Sequence, residues 1–325
     1  MEECLKMKTV IEIDGLCKDY MVGFWRPQPQ RALNKLSLQV NEGEVFGFLG
    51  GNGAGKTTTL KILMTLIFPT SGTAKILDKP IDDMEMRKQI GFLPEAPYFY
   101  DYLTAREFLD YCGKIFGIAT DARNRRISEL LKLVDLEFAA DRQLRKFSKG
   151  MLQRIGIAQA LVNDPKIVFM DEPMSGLDPI GRREVRDIIR SLREQGKTIF
   201  FSTHILSDVE VLCDRVAILR KGDLAGYGRL SELEGHRDPT MEITVQGISN
   251  ENLTHFHTKA QKVVQTASGI QIHVPDESHI DEIILLVRKY NGQIVSINPL
   301  KTALEDFFVK EKASNSKTES AKILV

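Results

Sequence analysis

The run Gly50-Gly51-Asn52-Gly53-Ala54-Gly55-Lys56-Thr57 fits G-x-x-x-x-G-K-[ST] and constrains the fold more than any other stretch of this chain. A loop of this kind wraps phosphates with its backbone N–H groups. It needs a strand to feed it and a helix to leave it, because the helix N-terminus adds partial positive charge at the phosphates. Both flanks are present: Val45-Phe46-Gly47-Phe48-Leu49 reads as a buried strand and residues 57–64 as a helix. The pattern predicts an α/β chain with a nucleotide as its ligand.

The rest of the first 235 residues agrees with that class. Strand-like runs at 10–13, 36–40, 45–49, 167–170, 198–202 and 215–219 alternate with helical segments. Residues 103–160 carry little strand signal, and Phe108, Leu109, Cys112, Ile115 and Phe116 recur there at helical spacing. Gly222, Gly226, Gly228, Gly235 and Pro239 read as a linker. From Met241 the pattern restarts as strand, short helix, hairpin around Ala267-Ser268-Gly269, helix, strand and a last helix at 300–309. That order predicts a small ferredoxin-like split β-α-β domain. The expected domains are 1–235 for nucleotide binding, with a helical part at about 100–160, then 236–312 as an accessory or dimerisation domain, and 313–325 as a flexible tail.

Composition excludes several classes. With 42% hydrophobic and 27% charged residues the 325-residue chain is globular. Its 44 basic and 44 acidic residues cancel, so no basic bias points to nucleic acid. Cys4, Cys17, Cys112 and Cys213 lie far apart, a pattern of isolated thiols rather than zinc ligands or disulfides. His255, His257 and His273 lack metal-ligand spacing. The opening Met1-Glu2-Glu3-Cys4-Leu5-Lys6 has no apolar signal segment, and the apolar run at 62–68 is far shorter than the ~18–20 residues that span a bilayer.

Ile167-Val168-Phe169-Met170-Asp171-Glu172 is a hydrophobic strand ending in two carboxylates. Strand ends of a parallel sheet lie beside the phosphate loop, so Asp171 is expected to reach a Mg²⁺ held by the Thr57 hydroxyl. Glu172, one residue on, is expected to activate the attacking water. Asn34-Lys35 is followed by Leu36-Ser37 rather than the N-K-x-D of guanine readers, which favours ATP.

Phe147-Ser148-Lys149-Gly150-Met151-Leu152-Gln153-Arg154 resembles the L-S-G-G-Q signature of ATP-binding cassette (ABC) proteins. Ser175-Gly176-Leu177-Asp178 is similar to the D-loop of that family, and Phe200-Phe201-Ser202-Thr203-His204 to its switch strand. Tyr20 matches the aromatic that stacks on adenine. The resemblance spans about residues 8–235 and is nearest to the ATPase subunits of ABC-2-type exporters, with Leu304-Glu305-Asp306-Phe307-Phe308 as a further likeness. It implies an ABC nucleotide-binding domain with a RecA-like core and a helical subdomain, carrying a small α+β C-terminal domain. It also implies a transport-coupled ATPase, cytoplasmic and peripheral on the inner face of the membrane through an integral-membrane permease subunit.

Roles follow from the same resemblance. Gly50, Gly51, Asn52, Gly53, Ala54, Gly55, Thr57 and Thr58 cradle the phosphates and metal of Mg-ATP, while Lys56 bridges β- and γ-phosphates. Asp171 serves the metal, Glu172 is the general base, and His204 hydrogen-bonds the γ-phosphate. Ser148, Lys149 and Gly150 open a helix whose N-terminus forms a second anion site. That site is expected to face away from the chain's own loop, so that a homodimer closes on two ATP, with Asp178 crossing the interface.

Two positions depart from the family pattern. Gly51 stands where Pro is common, and Glu95 in Gly91-Phe92-Leu93-Pro94-Glu95 stands where Gln is usual. A carboxylate there can contact metal or water but cannot donate, and it adds negative charge; an ordinary solvated loop residue is the other reading. Tyr98, Phe99, Tyr100 and Tyr102 read either as a groove for a permease helix or as packing of the helical subdomain. Residues 21–31, with Phe24 and Trp25, read as a long loop that is either a hairpin over the base or a surface insertion. An importer ATPase with a regulatory C-terminal domain and a soluble non-transport ABC protein are the rival functions.

Overall fold

Alternating apolar residues open the described chain as two long strands, β1 (Thr9–Val22) and β2 (Gln28–Asn41), paired antiparallel from Thr9↔Asn41 out to Val22↔Gln28. The structure is a computed structural model that describes residues 8–233, 241–249, 252–266, 269–275 and 277–299. After β3 (Val45–Gly50) and α1 (Lys56–Leu63) come β4 (Ser71–Ile76) and β5 (Lys79–Pro80), which complete an antiparallel sheet of order β2-β1-β4-β5. Next in the chain are α2 (Met84–Arg87), β6 (Ile90–Leu93), then α3 (Ala105–Ile115), α4 (Thr120–Leu133) and α5 (Lys149–Ala160). The unit closes with β7 (Ile167–Asp171), α6 (Pro179–Glu194), β8 (Thr198–Thr203), α7 (Leu206–Leu212), β9 (Arg215–Arg220) and β10 (Asp223–Gly228), and the short α8 (Leu230–Leu233) follows at the boundary.

The central sheet has the order β10-β9-β3-β8-β7-β6, parallel except for the β9–β10 edge hairpin. Every residue of β3, β7 and β8 is buried, as expected of parallel strands covered on both faces. Successive side chains feed opposite cores. Phe46, Phe48, Phe169 and Phe200 enter the core shared with β1, β2 and α1. Phe200 lies 5.2–5.6 Å (ring centroids) from the other three. Val45, Val168, Met170, Ile199 and Phe201 enter the core shared with the helical segment. That segment is helical as expected, and α3 starts at a full capping box, Thr104 with Glu107.

The structure corrects several expectations. β4, β6 and β10 were not legible as strands. β4 exposes Ser71, Gly72, Thr73 and Lys75, and β6 is four residues long with Gly91 inside it. Gly222, Gly226 and Gly228 are not linker: Gly222 turns the β9–β10 hairpin at φ +89° and the other two lie in β10. Residues 21–31 are not a loop either. Met21 and Val22 end β1, residues 28–31 begin β2, and only 23–27 turn. Pro29 pairs with Met21 on β2, the sheet edge, where its missing N–H costs no ladder bond.

By its internal packing the chain divides into one unit ending at Leu230 and a second starting at Ser231. The second contains β11 (Met241–Gln246), α9 (Leu253–His257), β12 (Lys262–Thr266), β13 (Gly269–Val274), α10 (Ile280–Lys289) and β14 (Gln293–Pro299). Its antiparallel sheet runs β12-β13-β11-β14, the connectivity of a split β-α-β unit. Phe256, Ile283 and Val287 from its helices pack on Ile243, Val245, Ile272 and Val274. The expected helix at 300–309, the tail at 313–325, Gly235, Pro239, Ala267 and Ser268 lie outside the described residues. Among the described residues no helix is long and apolar enough to cross a membrane.

Candidate nucleotide site

The loop between β3 and α1 is shaped by its glycines. Gly55 caps α1 at φ +110°, and a Cβ there would stand 2.6 Å from Leu33 Cδ2 and 2.8 Å from the Ala32 carbonyl. Conformation and space both demand glycine. The Ala54 N–H donates to the Gly51 carbonyl (3.2 Å) and the Thr59 hydroxyl to the Gly55 carbonyl (3.0 Å). Gly51, Asn52, Gly53, Ala54, Gly55, Lys56, Thr57 and Thr58 line one wall of a cavity of about 720 Å³, a size suited to a small organic ligand. Gly50 sits behind that wall as the last residue of β3.

Lys56 is buried, and its Nζ donates to the carbonyls of Gly50 (2.7 Å) and Gly51 (3.3 Å). It also pairs with Glu172 Oε1 at 3.2 Å, while Glu172 Oε2 lies 2.8 Å from His204 Nδ1. Glu172 itself lines the cavity from just beyond β7. Its φ is +50°, a left-handed conformation strained for a residue with a Cβ. The Glu172 N–H donates to Ser202 Oγ (3.0 Å), and its carbonyl accepts from the Ser175 N–H (3.0 Å). Ser202 Oγ in turn donates to Asp171 Oδ1 (2.5 Å), a carboxylate 2% exposed. The parallel register Asp171↔Ser202 puts these groups together at the C-terminal ends of neighbouring strands. Ser202 was read only as part of its strand, because its place opposite Asp171 depends on a strand register that sequence does not fix.

Thr57, Glu95 and Glu172 bring oxygen ligands to the cavity lining, and Asp171 does not line it. Hydroxyl and carboxylate oxygens are the ligand set a hard cation such as Mg²⁺ takes. Glu95 is exposed and lines the cavity.

The opposite wall comes from the β1–β2 arm, as Tyr20, Met21, Val22, Gln30, Arg31 and Ala32. Tyr20 was expected here from its likeness to the adenine-stacking aromatic, and Met21, Val22, Gln30 and Arg31 fall in the segment read as a hairpin over the base or a surface insertion. Lys18 Nζ sits 5.3 Å from the Tyr20 ring centroid and donates to the Phe68 carbonyl (2.7 Å). Across the ladder Arg31 forks onto Asp19 at 2.8 and 2.9 Å, which holds that carboxyl below the usual range.

The signature residues lie elsewhere. Ser148 caps α5, accepting from the Met151 N–H (3.3 Å), and neither it, Lys149 nor Gly150 lines the cavity. Lys149 Nζ stands only 2.0 Å from where a Cβ on Gly176 would be, so signature and D-loop segments touch. Asp178 also stays out of the cavity; it caps α6, accepting from the Gly181 N–H at 2.7 Å. The aromatic segment packs into the helical subdomain only in part. Phe99 packs inward, 5.4 Å from the Phe108 centroid, while Tyr98 (84%) and Tyr102 (61%) are exposed around Tyr100 and Tyr111.

Residues 33–175 match the sequence profile of the ABC transporter family. An uncharacterized ABC transporter ATP-binding protein of Synechocystis sp. is 45% identical over 314 residues, covering 96% of this chain and 87% of that protein. The bacitracin transport ATP-binding protein BcrA of Bacillus licheniformis is 36% identical, covering 94% and 97%. A solved dimeric ATP-binding cassette in a post-hydrolysis state, bound to ADP and Pi, is similar with a TM-score of 0.61 at 28% identity, covering 68% of this chain and 98% of that one. Relatedness of this extent, joined to a cavity walled by a phosphate loop and an acidic strand end, has one reading: the chain belongs to the ABC transporter ATP-binding proteins.

Proposed function

We propose that this chain is the ATP-hydrolysing subunit of an ABC-2-type exporter, in which two copies close on two Mg-ATP and drive a separate integral-membrane permease. The observation that carries the reading is the buried Lys56–Glu172 pair beside the phosphate loop, joined at its exposed side by His204. A carboxylate held by an imidazole at a strand end is placed to take a proton from water attacking the γ-phosphate. Lys56, freed from Glu172 by the incoming phosphates, neutralises charge on the β- and γ-oxygens. His204 keeps Glu172 aimed and donates to the γ-phosphate. Tyr20 stacks on adenine. Thr57, Asp171 (directly or through water) and Glu95 would hold Mg²⁺, which when bound neutralises phosphate charge.

Ser148, Lys149 and Gly150 lie outside the cavity of their own chain, which supports a second copy completing the γ-phosphate site with the α5 N-terminus. Asp178 would reach the opposite site from its place at the start of α6. The exposed tyrosines around Tyr100 suit a helix of the permease, since aromatics anchor such interfaces. Attachment there would put the protein at the inner face of the membrane. A transport role is supported by BcrA, a bacitracin transport ATP-binding protein similar across nearly the whole length of this chain; export rests on the likeness of the motifs to ABC-2-type ATPases.

Glu172→Gln tests the core of the reading. Loss of a general base should lower steady-state ATP turnover at least ~10²-fold while ATP binding and ATP-dependent dimerisation persist. Undiminished turnover would refute the assignment. Glu95→Gln tests the family departure: an unchanged ATPase rate, with and without the permease, would leave that carboxylate no special part.

A further inference from the structure

We propose that the tip of the β1–β2 arm is a docking element for a second copy of this chain, gripping the face that carries its signature turn. This rests on the dimeric reading above. The arm is a two-stranded ribbon whose base walls the nucleotide cavity. Tyr20↔Gln30, Met21↔Pro29 and Val22↔Gln28 continue the ladder outward, and the Asp19–Arg31 fork ties the strands at the base. Beyond Val22 the chain turns, with Gly23 at φ +116°. At the turn Phe24 and Trp25 stand 92% and 90% exposed, edge-to-face at 5.7 Å. Met21 (66%) and Val22 (52%) extend the apolar surface toward the cavity.

Exposed apolar surface of this kind marks a binding site. The cavity lining, the proposed pairing and the area to be buried together argue for one occupant. Met21 and Val22 line the cavity but Phe24 and Trp25 do not, so the tip projects past a nucleotide bound in its own chain. What lies beyond that rim in a closed pair is the second copy, whose Ser148–Gly150 segment must approach this cavity because its own chain keeps it away. The tip surface is thus continuous with the interface that completes the site. Area agrees as well. Burying two aromatic rings withdraws roughly 300–500 Å², and two-fold symmetry doubles it, a large share of the roughly 1,200–2,000 Å² of a stable interface.

Trp25 is the only tryptophan of the chain, so its emission reports the tip alone. The experiment uses the full chain carrying Glu172→Gln, with saturating Mg-ATP, over a range of protein concentrations, each sample also run by sedimentation velocity. The expected result is a blue shift of Trp25 emission that follows the monomer–dimer transition. Adding Phe24→Ala should weaken the dimer by about tenfold or more, with the monomer's affinity for a fluorescent ATP analogue unchanged. Dimers with unshifted emission would overturn the proposal while leaving the dimeric reading intact. So would a shift in samples that sediment as monomers, which would place the tip over its own nucleotide. A shift seen only with phosphatidylglycerol vesicles would assign the tip to lipid. Absence of any ATP-dependent dimer would remove the dimeric reading, and this proposal with it.

Discussion

Lys56 has three N–H donors, and Gly50, Gly51 and Glu172 engage all of them. Phosphates that recruit Lys56 must therefore displace Glu172. At 3.2 Å and an effective dielectric of about 20 the pair attracts by about 5 kcal/mol. Desolvation of two buried ions offsets much of this, leaving roughly the 1.5–3 kcal/mol of a charge-assisted hydrogen bond. Glu172→Gln keeps the volume and one acceptor but removes the charge. The nucleotide-free variant should lose about 1–2 kcal/mol of stability, whereas the ATP complex, with Lys56 on the phosphates, should lose little. The thermodynamic cycle then closes only if the variant binds ATP more tightly, tenfold for each ~1.4 kcal/mol. Chemical unfolding without nucleotide and calorimetric titration with ATP measure both legs. Tighter binding without a destabilised nucleotide-free state would trace the gain to relief of repulsion beside Asp171. Unchanged affinity would show that Glu172 does not compete for Lys56. Either result refutes the argument.

Other positions give equally direct tests. Burial pushes the Cys112 thiol up to about 11 from an ordinary 9.0, so the folded state holds that proton longer than the unfolded chain. The associated stability is complete below pH about 9 and lost as pH climbs toward 11, by up to about 2–3 kcal/mol, and thermal melts of Cys112→Ala should show a flatter pH dependence over that window. Asp178→Ala should cost about 1 kcal/mol as a lost cap of α6, while Asp178→Asn restores stability. If Asp178 also serves the opposite site, the Asn variant stays impaired in ATPase rate; full activity would limit Asp178 to capping. A Cβ on Gly91 would lie 1.9 Å from the Ala160 carbonyl, so Gly91→Ala should shift β6 against α5 and cost about 3 kcal/mol in an unfolding titration. An unperturbed midpoint would contradict that packing.

What could be read from sequence was what neighbouring residues decide. The phosphate loop, the α5 cap at Ser148 and the carboxylates closing β7 are contiguous, and each is fixed by local backbone chemistry. β3, β7 and β8 were legible because a strand buried on both faces is apolar throughout. β4, β6 and β10 were not, since partly exposed faces and internal glycines erase the period that marks a strand. The arm was hidden for a related reason. Pro29 looks like a loop residue until β2 proves to be an edge, where a missing N–H harms nothing.

Register lies further out of reach. Ser202 orients Asp171 only because β7 and β8 pair in parallel with those residues opposite, a relation between segments about thirty residues apart. The Lys56–Glu172 contact likewise joins residues distant in sequence, and it adds something the motifs do not contain. The motifs name groups that would bind phosphate; the geometry puts two of them on each other. On the proposed dimeric reading, a site so self-paired would resist closing without ATP, because a second copy bringing Ser148 to the cavity would find the Lys56 charge already neutralised and no anion to share. Nucleotide binding, by drawing Lys56 off Glu172 and supplying the γ-phosphate, would create both the catalytic carboxylate and the anion that the second α5 N-terminus needs. Coupling of dimer closure to ATP would then follow from one buried ion pair rather than from any added device.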